Sequence, residues 1–566
     1  MKSPADQPFT LPMMQELFTN HELLFRESHR PGPEAIEGGV RRVGILGGGT
    51  AGWFTALALR AQLPWLDVTV IESKSIPIIG VGEASVPSLV AFLHHYLKLD
   101  ILELTREVQP TWKQGIRFEW GQPDVPGQSP YVFQAPFDWE VNGVGMLGSE
   151  AEIGNVSAFT LQAALMAKNV TPIIRTNGQL QSFLPMLAFA YHLDNQKLVD
   201  YLRRTAVSRG VHHLDRKIVD AVMRTDLKAD GEPRIAHLVA EGGGGVAGAD
   251  QLEFDLYVDC SGFRSFLLEN KAGARFESYA SSLLTDTAIA FNAPHDGKIK
   301  PYTTARTMQS GWCWNIPMIS DDHLGYVHSS AHCSEDQALE EARGIWPGLS
   351  NPRTVRFRSG RHDRAWIGNV FALGNAYAFV EPLESTGLLM ITRAISSLVR
   401  SFPLGADPGP MKQFVNTTLG RDWDRLRWFL AVHYKFNQRL DTPFWKDVRA
   451  SVDVSGIQHA LDIFRAHGPL SLLPRAMRTS LNESAGIFFY GLHGLDNILM
   501  GQKVPHVTLA REPTTAWKAR RQMALEFTRR AVSQADALRA VRDRPEWLRQ
   551  LVDHPSGWVA KMATYV

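Results

Sequence analysis

The stretch RVGILGGGTAGW, residues 42–53, decides the fold. Its first half is an apolar run typical of a buried strand, and TAGWFTALALRAQL, which begins within it, has the spacing of a helix. A second strand, DVTVIES, follows. Gly47, Gly49 and Gly52 therefore form G-x-G-x-x-G between a strand and a helix. There they allow a tight turn and let the backbone approach a pyrophosphate at the positive end of the helix.

The acid at the end of the second strand supports dinucleotide binding. Glu72 follows Gly52 by 20 residues, the offset of a ribose-binding acid. The alternative is a turn that only packs tightly. A second match to the spacing, at Gly243, Gly245 and Gly248, has strand-like flanks and is interpreted as a hairpin loop. With one fingerprint and no second site for a nicotinamide, the predicted cofactor is FAD, and reducing equivalents are expected to arrive from elsewhere.

Composition excludes several other classes of partner. The 566 residues contain 59 Lys and Arg against 58 acids, a net charge of +1, which provides no basic field for nucleic acid or an anionic membrane. The three cysteines lack paired metal-ligand spacing, so no metal site is predicted. The N-terminus lacks the apolar segment of a signal peptide, and no stretch has about 18 uninterrupted apolar residues. A cytoplasmic location is expected.

Three regions are predicted along the chain. Residues 1–40 are an extension that ends in the linker-like RPGPEAIEGG. Residues 41–405 are an α/β nucleotide-binding core with an inserted sheet, in which RIAHLVAE and LEFDLYVDCSG suggest antiparallel strands. Residues 406–566 are helical, rich in Trp, Phe and Arg, and without a strand pattern.

The passage GNAYAFVEPLESTGLLMI, residues 374–391, places Glu381 and Glu384 among apolar residues. Apolar positions downstream predict a buried helix that begins at Gly387, with Ser385 or Thr386 as its N-cap. One interpretation is that an acid near this end only stabilises the helix dipole, by roughly 0.3–1 kcal/mol. The other is that free N–H groups of the first turn bind an anion beside a catalytic carboxylate.

Three further stretches are ambiguous by themselves. GWCWNIPM places Trp312 and Trp314 on one face of a strand that ends at Pro317, where two stacked core tryptophans would suffice as an explanation. TWKQGIRFEW alternates so that Lys113 lies on the face opposite Trp112; such a lysine is usually solvated unless a closed pocket surrounds it. DLYVDCSGFRS ends a strand at Asp259, in a turn that either approaches the cofactor or only closes the strand.

Taken together, these motifs resemble the flavin-dependent tryptophan halogenases. GGGTAGW, GVGEAS, WKQGIRF, DCSGFRS, WCWNIP, FVEPLESTG and HYKFNQRLDTPFW occur in the order found in that family and span residues 42 to about 500. The resemblance implies an FAD-binding Rossmann-type core like that of the GR2 flavin monooxygenases, with an inserted mixed or antiparallel sheet and a mostly helical substrate side. It also implies reduced FAD (FADH2) from a separate NAD(P)H-dependent flavin reductase, with O2 and chloride or bromide.

The resemblance also implies roles for residues. Lys113 matches the lysine that carries or hydrogen-bonds hypohalous acid, and Glu384 matches the essential glutamate, a candidate base for the ring proton. The residues that match cofactor-binding positions are Gly47, Gly49, Gly52, Glu72, Gly82, Glu83 and Ala84. Those that match the halide site are Thr386 and Gly387. Those that match the tunnel between flavin and substrate are Trp312, Trp314, Ile316, Pro317 and Ser385. The two tryptophans are thought to keep the substrate from the flavin, which would suppress hydroxylation.

Departures from the family pattern lie on the substrate side. The family's enzymes for free tryptophan have a Trp after TPFW, whereas this chain has none between Trp445 and Trp517, and SPYVFQAPFDWEV also differs. We therefore expect an indole held within a peptide or another large scaffold, as in lanthipeptide tryptophan halogenases. Free tryptophan or a small indole or phenol is the alternative. A hydroxylating flavin monooxygenase and a non-catalytic FAD-binding protein remain as other classes.

Overall fold

A computed structural model gives the structure of the chain. It describes residues 39–76, 82–120, 132–137, 160–225, 231–241, 251–402, 408–484, 490–507, 513–555 and 557–563. The extension at residues 1–38 and the glycine-rich loop at 242–250 lie outside the described residues, as do parts of the two substrate-side departures. Among the described residues no helix combines the length and apolarity needed to cross a lipid bilayer.

Strands dominate the first two thirds of the chain. They are β1 (Arg42–Leu46), β2 (Asp67–Glu72), β3 (Glu83–Ala84), β4 (Thr111–Lys113), β5 (Gly115–Glu119), β6 (Val132–Pro136), β7 (Val170–Thr176), β8 (Gln179–Ser182), β9 (Ala190–Leu193), β10 (His212–Asp215), β11 (Ile218–Met223), β12 (Ile235–Ala240), β13 (Gln251–Leu252), β14 (Leu256–Asp259), β15 (Phe276–Ser278), β16 (Thr287–Ala293), β17 (Thr303–Met308), β18 (Gly311–Pro317), β19 (Asp322–His328), β20 (Ser350–Arg356), β21 (Gly360–His362), β22 (Trp366–Ile367), β23 (Val370–Ala372), β24 (Ala378–Phe379) and β25 (Ala531–Ser533).

Helices fill most of the last third. They are α1 (Thr50–Gln62), α2 (Pro87–Ala91), which continues as a π-helical turn over Phe92–Tyr96, α3 (Ile101–Val108), α4 (Leu161–Ala167), α5 (Asn195–Ser208), α6 (Glu335–Ile345), α7 (Gly387–Ser401), α8 (Gly409–Lys435), α9 (Pro443–Ser451), α10 (Gln458–His467), α11 (Arg475–Ser484), α12 (Gly491–Gly501), α13 (Thr514–Arg530), α14 (Gln534–Asp543), α15 (Glu546–Asp553) and α16 (Trp558–Ala563).

A six-stranded sheet forms the nucleotide-binding half, in the order β10-β2-β1-β14-β23-β22. The first five strands are parallel and β22 is antiparallel. Their near-continuous apolar runs fit a sheet that is covered on both faces, and α1 packs against α5 and α7. The predicted β-α-β opening and the Rossmann-type fold class are confirmed.

The glycine turn between β1 and α1 is closed tightly by backbone contacts. Gly47 has φ +122°, and a Cβ there would lie 2.2 Å from the carbonyl oxygen of Cys260. A Cβ on Gly52 would lie 1.9 Å from the oxygen of Gly47. A Cβ on Gly49 would meet nothing within 4 Å, which leaves one side of the turn open.

A seven-stranded sheet, β20-β16-β19-β18-β17-β5-β6, forms the second layer. It is antiparallel except where β17 and β5 run parallel. TWKQGIRFEW, read as one alternating strand, is divided at Gln114, because β4 joins a different sheet with β9 and β3. The strand that carries Lys113, β4, therefore belongs to a different sheet from β5, the strand that follows it.

Two expectations about strands are wrong. The strand of LEFDLYVDCSG, β14, is not part of an antiparallel insertion but pairs in parallel with β1 in the nucleotide-binding sheet. β11, β12 and β13 form an antiparallel unit, and the pairing of β12 with β13, the strands before and after the second glycine run, agrees with the predicted hairpin. The helical C-terminal region also contains one strand, β25, which pairs with β7. Local alternation does not reveal which distant strand will be the partner.

Changing the turn glycine tests how tightly it is packed. Gly47→Ala should lower the stability by about 2 kcal/mol or more, because its φ disfavours a side chain and the Cβ overlaps the Cys260 carbonyl. Gly49→Ala is the matched control and should cost within about 1 kcal/mol, because its Cβ enters open space. Urea denaturation measures both, and equal losses would show that the turn is not closed as described.

Candidate active site

The glycine turn lies next to the predicted ribose-binding acid. A Cβ on Gly48 would lie 1.6 Å from Glu72 Oε2, so the carboxylate rests against the turn. His213 Nε2 lies 2.8 Å from Glu72 Oε1, and burial raises the pKa of this acid. α1 begins directly after Gly49, without a side-chain cap. Its first N–H groups are therefore free for a pyrophosphate, and the open side of the turn fits FAD.

Residues 82–85, the described part of the GVGEAS motif, lie beside the same turn. Gly82 has φ +78°, and Glu83 and Ala84 form β3, which pairs with β9. Glu83 accepts a hydrogen bond from Asn195 Nδ2 at 3.1 Å, and burial raises its pKa to about 7. Asn195 also donates to Thr50 Oγ1, at 3.4 Å, in the first turn of α1. These contacts connect the segment to the dinucleotide turn.

Lys113 has no exposed surface. Its Nζ donates to the carbonyl of Ser85 at 3.0 Å and lies 5.2 Å from the centroid of the Phe137 ring. Loss of hydration lowers the pKa of Lys113 to about 7, and the charge of Glu384 opposes this shift. The closed pocket that a functional lysine requires is therefore present, and solvation of Lys113 as a surface residue is excluded.

Hydrogen bonds connect β4, which carries Lys113, to β18, which carries Trp312 and Trp314. Thr111 Oγ1 donates to the Pro317 carbonyl at 2.6 Å and lies 3.0 Å from His192 Nδ1. Because the threonine proton is used, His192 donates through Nδ1, and its Nε2 accepts from Thr303 at 2.9 Å. Burial, aided by the charge of Lys113, lowers the pKa of His192, so this imidazole stays neutral.

Trp312 and Trp314, which are expected to keep the substrate from the flavin and are called the tryptophan wall below, lie in β18. This strand ends at Pro317 as expected. The exposed fractions of Trp312, Trp314 and Ile316 are 1%, 5% and 5%, and the two indole centroids are 6.0 Å apart. Gly325 on β19 leaves room for Trp314, because a Cβ there would lie 1.9 Å from the ring. The wall is a rigid, packed part of the sheet.

Glu384 pairs with a buried histidine from α8. His433 Nε2 lies 2.6 Å from Glu384 Oε1, and neither side chain has much exposed surface. His433 Nδ1 lies 2.9 Å from the Phe429 carbonyl, an atom that can only accept. Nδ1 must therefore carry a proton. One further proton is then shared along the hydrogen bond between His433 and Glu384.

Glu381 is the second acid of this loop and is completely buried. Thr285 donates its hydroxyl to one carboxylate oxygen of Glu381, whereas the other oxygen, Oε1, has no hydrogen-bond partner within the described structure. The Tyr434 hydroxyl and the Trp312 indole N–H lie nearby and lower the pKa of Glu381 only in part. Burial nevertheless raises the pKa of Glu381 to about 7. The two acids of this loop therefore lie beside successive residues of α8: Glu384 beside His433 and Glu381 beside Tyr434. Glu381 also lies near Trp312.

The N-terminus of α7 is free, as an anion site requires. The helix begins at Gly387, as predicted, and follows Ser385, which has φ +57°. Thr386 is the N-cap residue but makes no capping hydrogen bond, and its buried Oγ1 has no hydrogen-bond partner within the described structure. A Cβ on Gly387 would meet nothing within 4 Å. These residues fit a halide better than a self-capped helix.

The structure also shows contacts that sequence reasoning missed. His433 and Tyr434 are the first two letters of HYKFNQRLDTPFW, but nothing local shows that they reach residues 381–384. Tyr490 donates its hydroxyl to the Glu384 carbonyl at 3.1 Å. By contrast, Asp259 accepts backbone N–H bonds from Ser261 and from two further residues, Leu267 and Leu268. The carboxylate of Asp259 therefore closes its own turn.

Comparisons with known proteins agree with the motifs. The family model described as tryptophan halogenase matches residues 42–512. Tryptophan 7-halogenase RebH of Lentzea aerocolonigenes is 31% identical, over a match that covers 76% of this chain and 83% of RebH. 7-chloro-L-tryptophan 6-halogenase KtzR of Kutzneria sp. (strain 744) is also 31% identical, over 92% of this chain and 99% of KtzR. The crystal structure of MibH, a lanthipeptide tryptophan 5-halogenase, is 47% identical, with a TM-score of 0.86 over 94% of this chain and 99% of that one.

The burial of Lys113 predicts a dependence of stability on pH. In the unfolded chain this lysine titrates near its ordinary value of 10.5, whereas the folded pKa is about 7. Between these values the unfolded state binds the extra proton, so the contribution of Lys113 to stability rises with pH, by up to about 1.4 kcal/mol per pH unit. Relative to Lys113→Met, the native protein should gain stability from pH 7 to 9 in urea denaturation. Parallel curves would contradict the lowered pKa.

Proposed function

The chain belongs to the tryptophan halogenase family, and from this premise we propose that Lys113 and Glu384 halogenate the indole of a tryptophan held within a peptide, with reduced FAD, O2 and chloride or bromide. Membership in the family makes the chain a flavin-dependent enzyme that halogenates tryptophan electrophilically. The observation that carries the residue assignment is the unexposed Lys113, whose pocket also receives the charge of Glu384.

The cofactor-binding residues form the open glycine turn and its neighbours. The pyrophosphate of FAD would lie on the N–H groups after Gly49, with Glu72 toward a ribose and the Gly82–Ala84 segment beside the turn. When bound, reduced FAD and O2 supply the oxidising equivalents that convert a halide to hypohalous acid. Since the sequence contains one dinucleotide fingerprint in a strand–helix context, a separate NAD(P)H-dependent flavin reductase is the proposed source of FADH2.

Lys113 holds and orients the oxidant. Its ammonium donates a hydrogen bond to the oxygen of hypohalous acid, which makes the halogen the electrophilic end. When the ring carbon attacks, the carbon–halogen bond forms and the halogen–oxygen bond breaks, while the oxygen takes a proton and leaves as water. A pKa of about 7 suits this proton donation near neutral pH. Trp312 and Trp314 keep the indole on the lysine side.

Glu384 removes the proton of the halogenated ring carbon. Its partner His433 bonds to Oε1 and fixes the orientation of the carboxylate, which leaves the other oxygen of Glu384 to accept the ring proton. The Thr386 hydroxyl and the N–H groups at Gly387 bind the halide. The same loop therefore carries the base and the anion site.

A peptide substrate is supported by two independent observations. The tryptophan expected after TPFW in enzymes for free tryptophan is missing, and MibH, which is 47% identical, is described as a lanthipeptide enzyme. Free tryptophan is the second candidate, because RebH and KtzR are described as acting on tryptophan and 7-chloro-L-tryptophan.

Mass spectrometry tests the proposed function. Reactions contain FAD, a flavin reductase, NADH, O2 and chloride or bromide, with free tryptophan and tryptophan-containing peptides in parallel. We expect the halogen isotope pattern on a peptide. The pattern on free tryptophan alone would contradict the peptide substrate, an oxygenated product that does not require halide would establish a hydroxylase, and FAD binding without turnover would establish a non-catalytic protein.

Replacing the lysine separates catalysis from cofactor binding. Lys113→Ala should lower halogenation by at least about 10²- to 10³-fold, because nothing then orients the electrophile, while the FAD dissociation constant stays near that of the native protein. Lys168→Ala, at an exposed lysine, is the control. A Lys113→Ala enzyme with native product yield would remove this residue from the mechanism.

The histidine partner of Glu384 has a distinguishable effect. His433→Gln keeps a polar group near Glu384 but loses the imidazole that contacts the carboxylate at 2.6 Å, so kcat should fall about 10- to 100-fold. KM and FAD affinity should change little. A His433→Gln enzyme with native kcat would show that the contact between His433 and Glu384 is not needed for the reaction.

A further inference from the structure

Thr111, Lys113 and His192 lie on one face of the three-stranded sheet formed by β3, β9 and β4. Thr111 and Lys113 are two residues apart in β4, and side chains at that spacing point to the same face of a strand. In the neighbouring strand β9, His192 pairs with Thr111 and Ala190 pairs with Lys113. The imidazole is therefore the direct cross-strand neighbour of Thr111 and the diagonal neighbour of Lys113.

A directed chain of hydrogen bonds passes through this imidazole. Thr303 on β17 donates its hydroxyl to His192 Nε2 at 2.9 Å, and His192 Nδ1 donates to Thr111 Oγ1 at 3.0 Å. Thr111 in turn donates to the Pro317 carbonyl on β18 at 2.6 Å. Because a carbonyl only accepts and the imidazole is neutral, the direction of each bond in the chain is fixed.

This chain of bonds joins two sheets next to the lysine. β17 and β18 belong to the seven-stranded sheet that carries the tryptophan wall, whereas β4 and β9 belong to the three-stranded sheet. Thr111 and His192 have no exposed surface, and Thr303 is buried. A bond that is lost here cannot be replaced by one to solvent. The strand that carries Lys113 would therefore be held less firmly.

A neutral imidazole can hold this strand without drawing the ammonium of Lys113 to itself. A carboxylate in the place of His192 would form an ion pair with Lys113 and compete with the oxidant for it. A second cation there would repel the ammonium. An apolar side chain would leave Thr111 without a donor. Histidine supplies one donor and one acceptor and no charge, which fits all three requirements.

We propose that His192 is a positioning residue for Lys113: its Nδ1–H, bound to Thr111, holds β4 so that the ammonium stays directed at the oxidant. This inference rests on the proposed function. A displacement of about 1 Å at a reacting group can lower a rate by about 10²-fold. The bond from Thr303 to Nε2 is made to β17, which does not carry the lysine. The rate of the reaction therefore depends mainly on the Nδ1 side of the imidazole.

Two amide replacements separate the two sides of the imidazole. Asn places its amide near the position of Nδ1, and Gln places its amide near that of Nε2. His192→Asn therefore keeps the contact with Thr111, whereas His192→Gln keeps the contact with Thr303. Halogenation should lose about 10- to 100-fold in kcat in His192→Gln but stay within about 5-fold of the native value in His192→Asn. KM and the FAD dissociation constant should stay near native in both.

Replacing each threonine repeats the comparison with the imidazole intact. Thr111→Val and Thr303→Val each remove a hydroxyl from a side chain of the same shape, so both should lower the midpoint of urea unfolding. Only Thr111→Val should lose about 10- to 100-fold in kcat, and it supplies the test if His192→Gln does not fold. Equal losses of kcat in the two Val variants would show that these residues only stabilise the fold. That result, or a native kcat in Thr111→Val, would overturn the proposal.

Chemical modification of Lys113 tests the same contact without turnover. The full-length native protein and the four variants, without substrate or halide, undergo reductive methylation, and peptide mass spectrometry gives the rate at Lys113 relative to the exposed Lys168. His192→Gln and Thr111→Val should raise this ratio by about 10-fold or more, because opening of β4 exposes the amine. His192→Asn and Thr303→Val should leave it near native.

The modification experiment also separates this proposal from the proposed function. The expected pattern of modification without halogenation of any substrate would support the positioning role of His192 and contradict the proposed reaction. Equal ratios in all five proteins would show that the contact between His192 and Thr111 does not hold the lysine, and would overturn the proposal whatever the kinetics.

Discussion

The burial of the Lys113 ammonium is the constraint on which the site depends. A cation without exposed surface is costly unless nearby groups compensate for lost hydration. Here the Ser85 carbonyl accepts its hydrogen bond, the Phe137 ring faces it and Glu384 supplies an opposing charge. The division of the chain at Gln114 sends β4 and β5 into different sheets, so Lys113, the last residue of β4, lies where the chain passes from one sheet to another.

The loop from Glu381 to Gly387 provides the rest of the chemistry as one unit. Glu381 reaches Thr285, Tyr434 and the wall, Glu384 reaches His433, and the loop ends at the uncapped start of α7. These contacts favour the second interpretation of the loop, an anion site beside a catalytic carboxylate, over an acid that only stabilises the helix dipole. Both acids are engaged by other side chains, and no described side chain caps α7, so the first N–H groups of the helix are available to an anion.

Local patterns predicted the parts of the structure that local physics determines. The strand–glycine–helix opening, the start of α7 at Gly387 and the end of β18 at Pro317 each follow from turn, capping or proline rules within a few residues. The position of β14 in the parallel sheet and the pairing of His433 with Glu384 depend on chain segments that are far apart in sequence. The groups that surround Lys113, Ser85, Phe137 and Glu384, come from distant parts of the chain, so the sequence alone left its burial open except through family resemblance.

Locating a bound halide tests most directly whether the acid and the anion site form one catalytic centre. Crystals soaked in bromide, measured at the bromine absorption edge, should show an anomalous peak at the N-terminus of α7, next to the Thr386 hydroxyl and the Gly387 N–H and on the side of Glu384. A peak at other sites only, with none beside Thr386 at saturating bromide, would contradict the account.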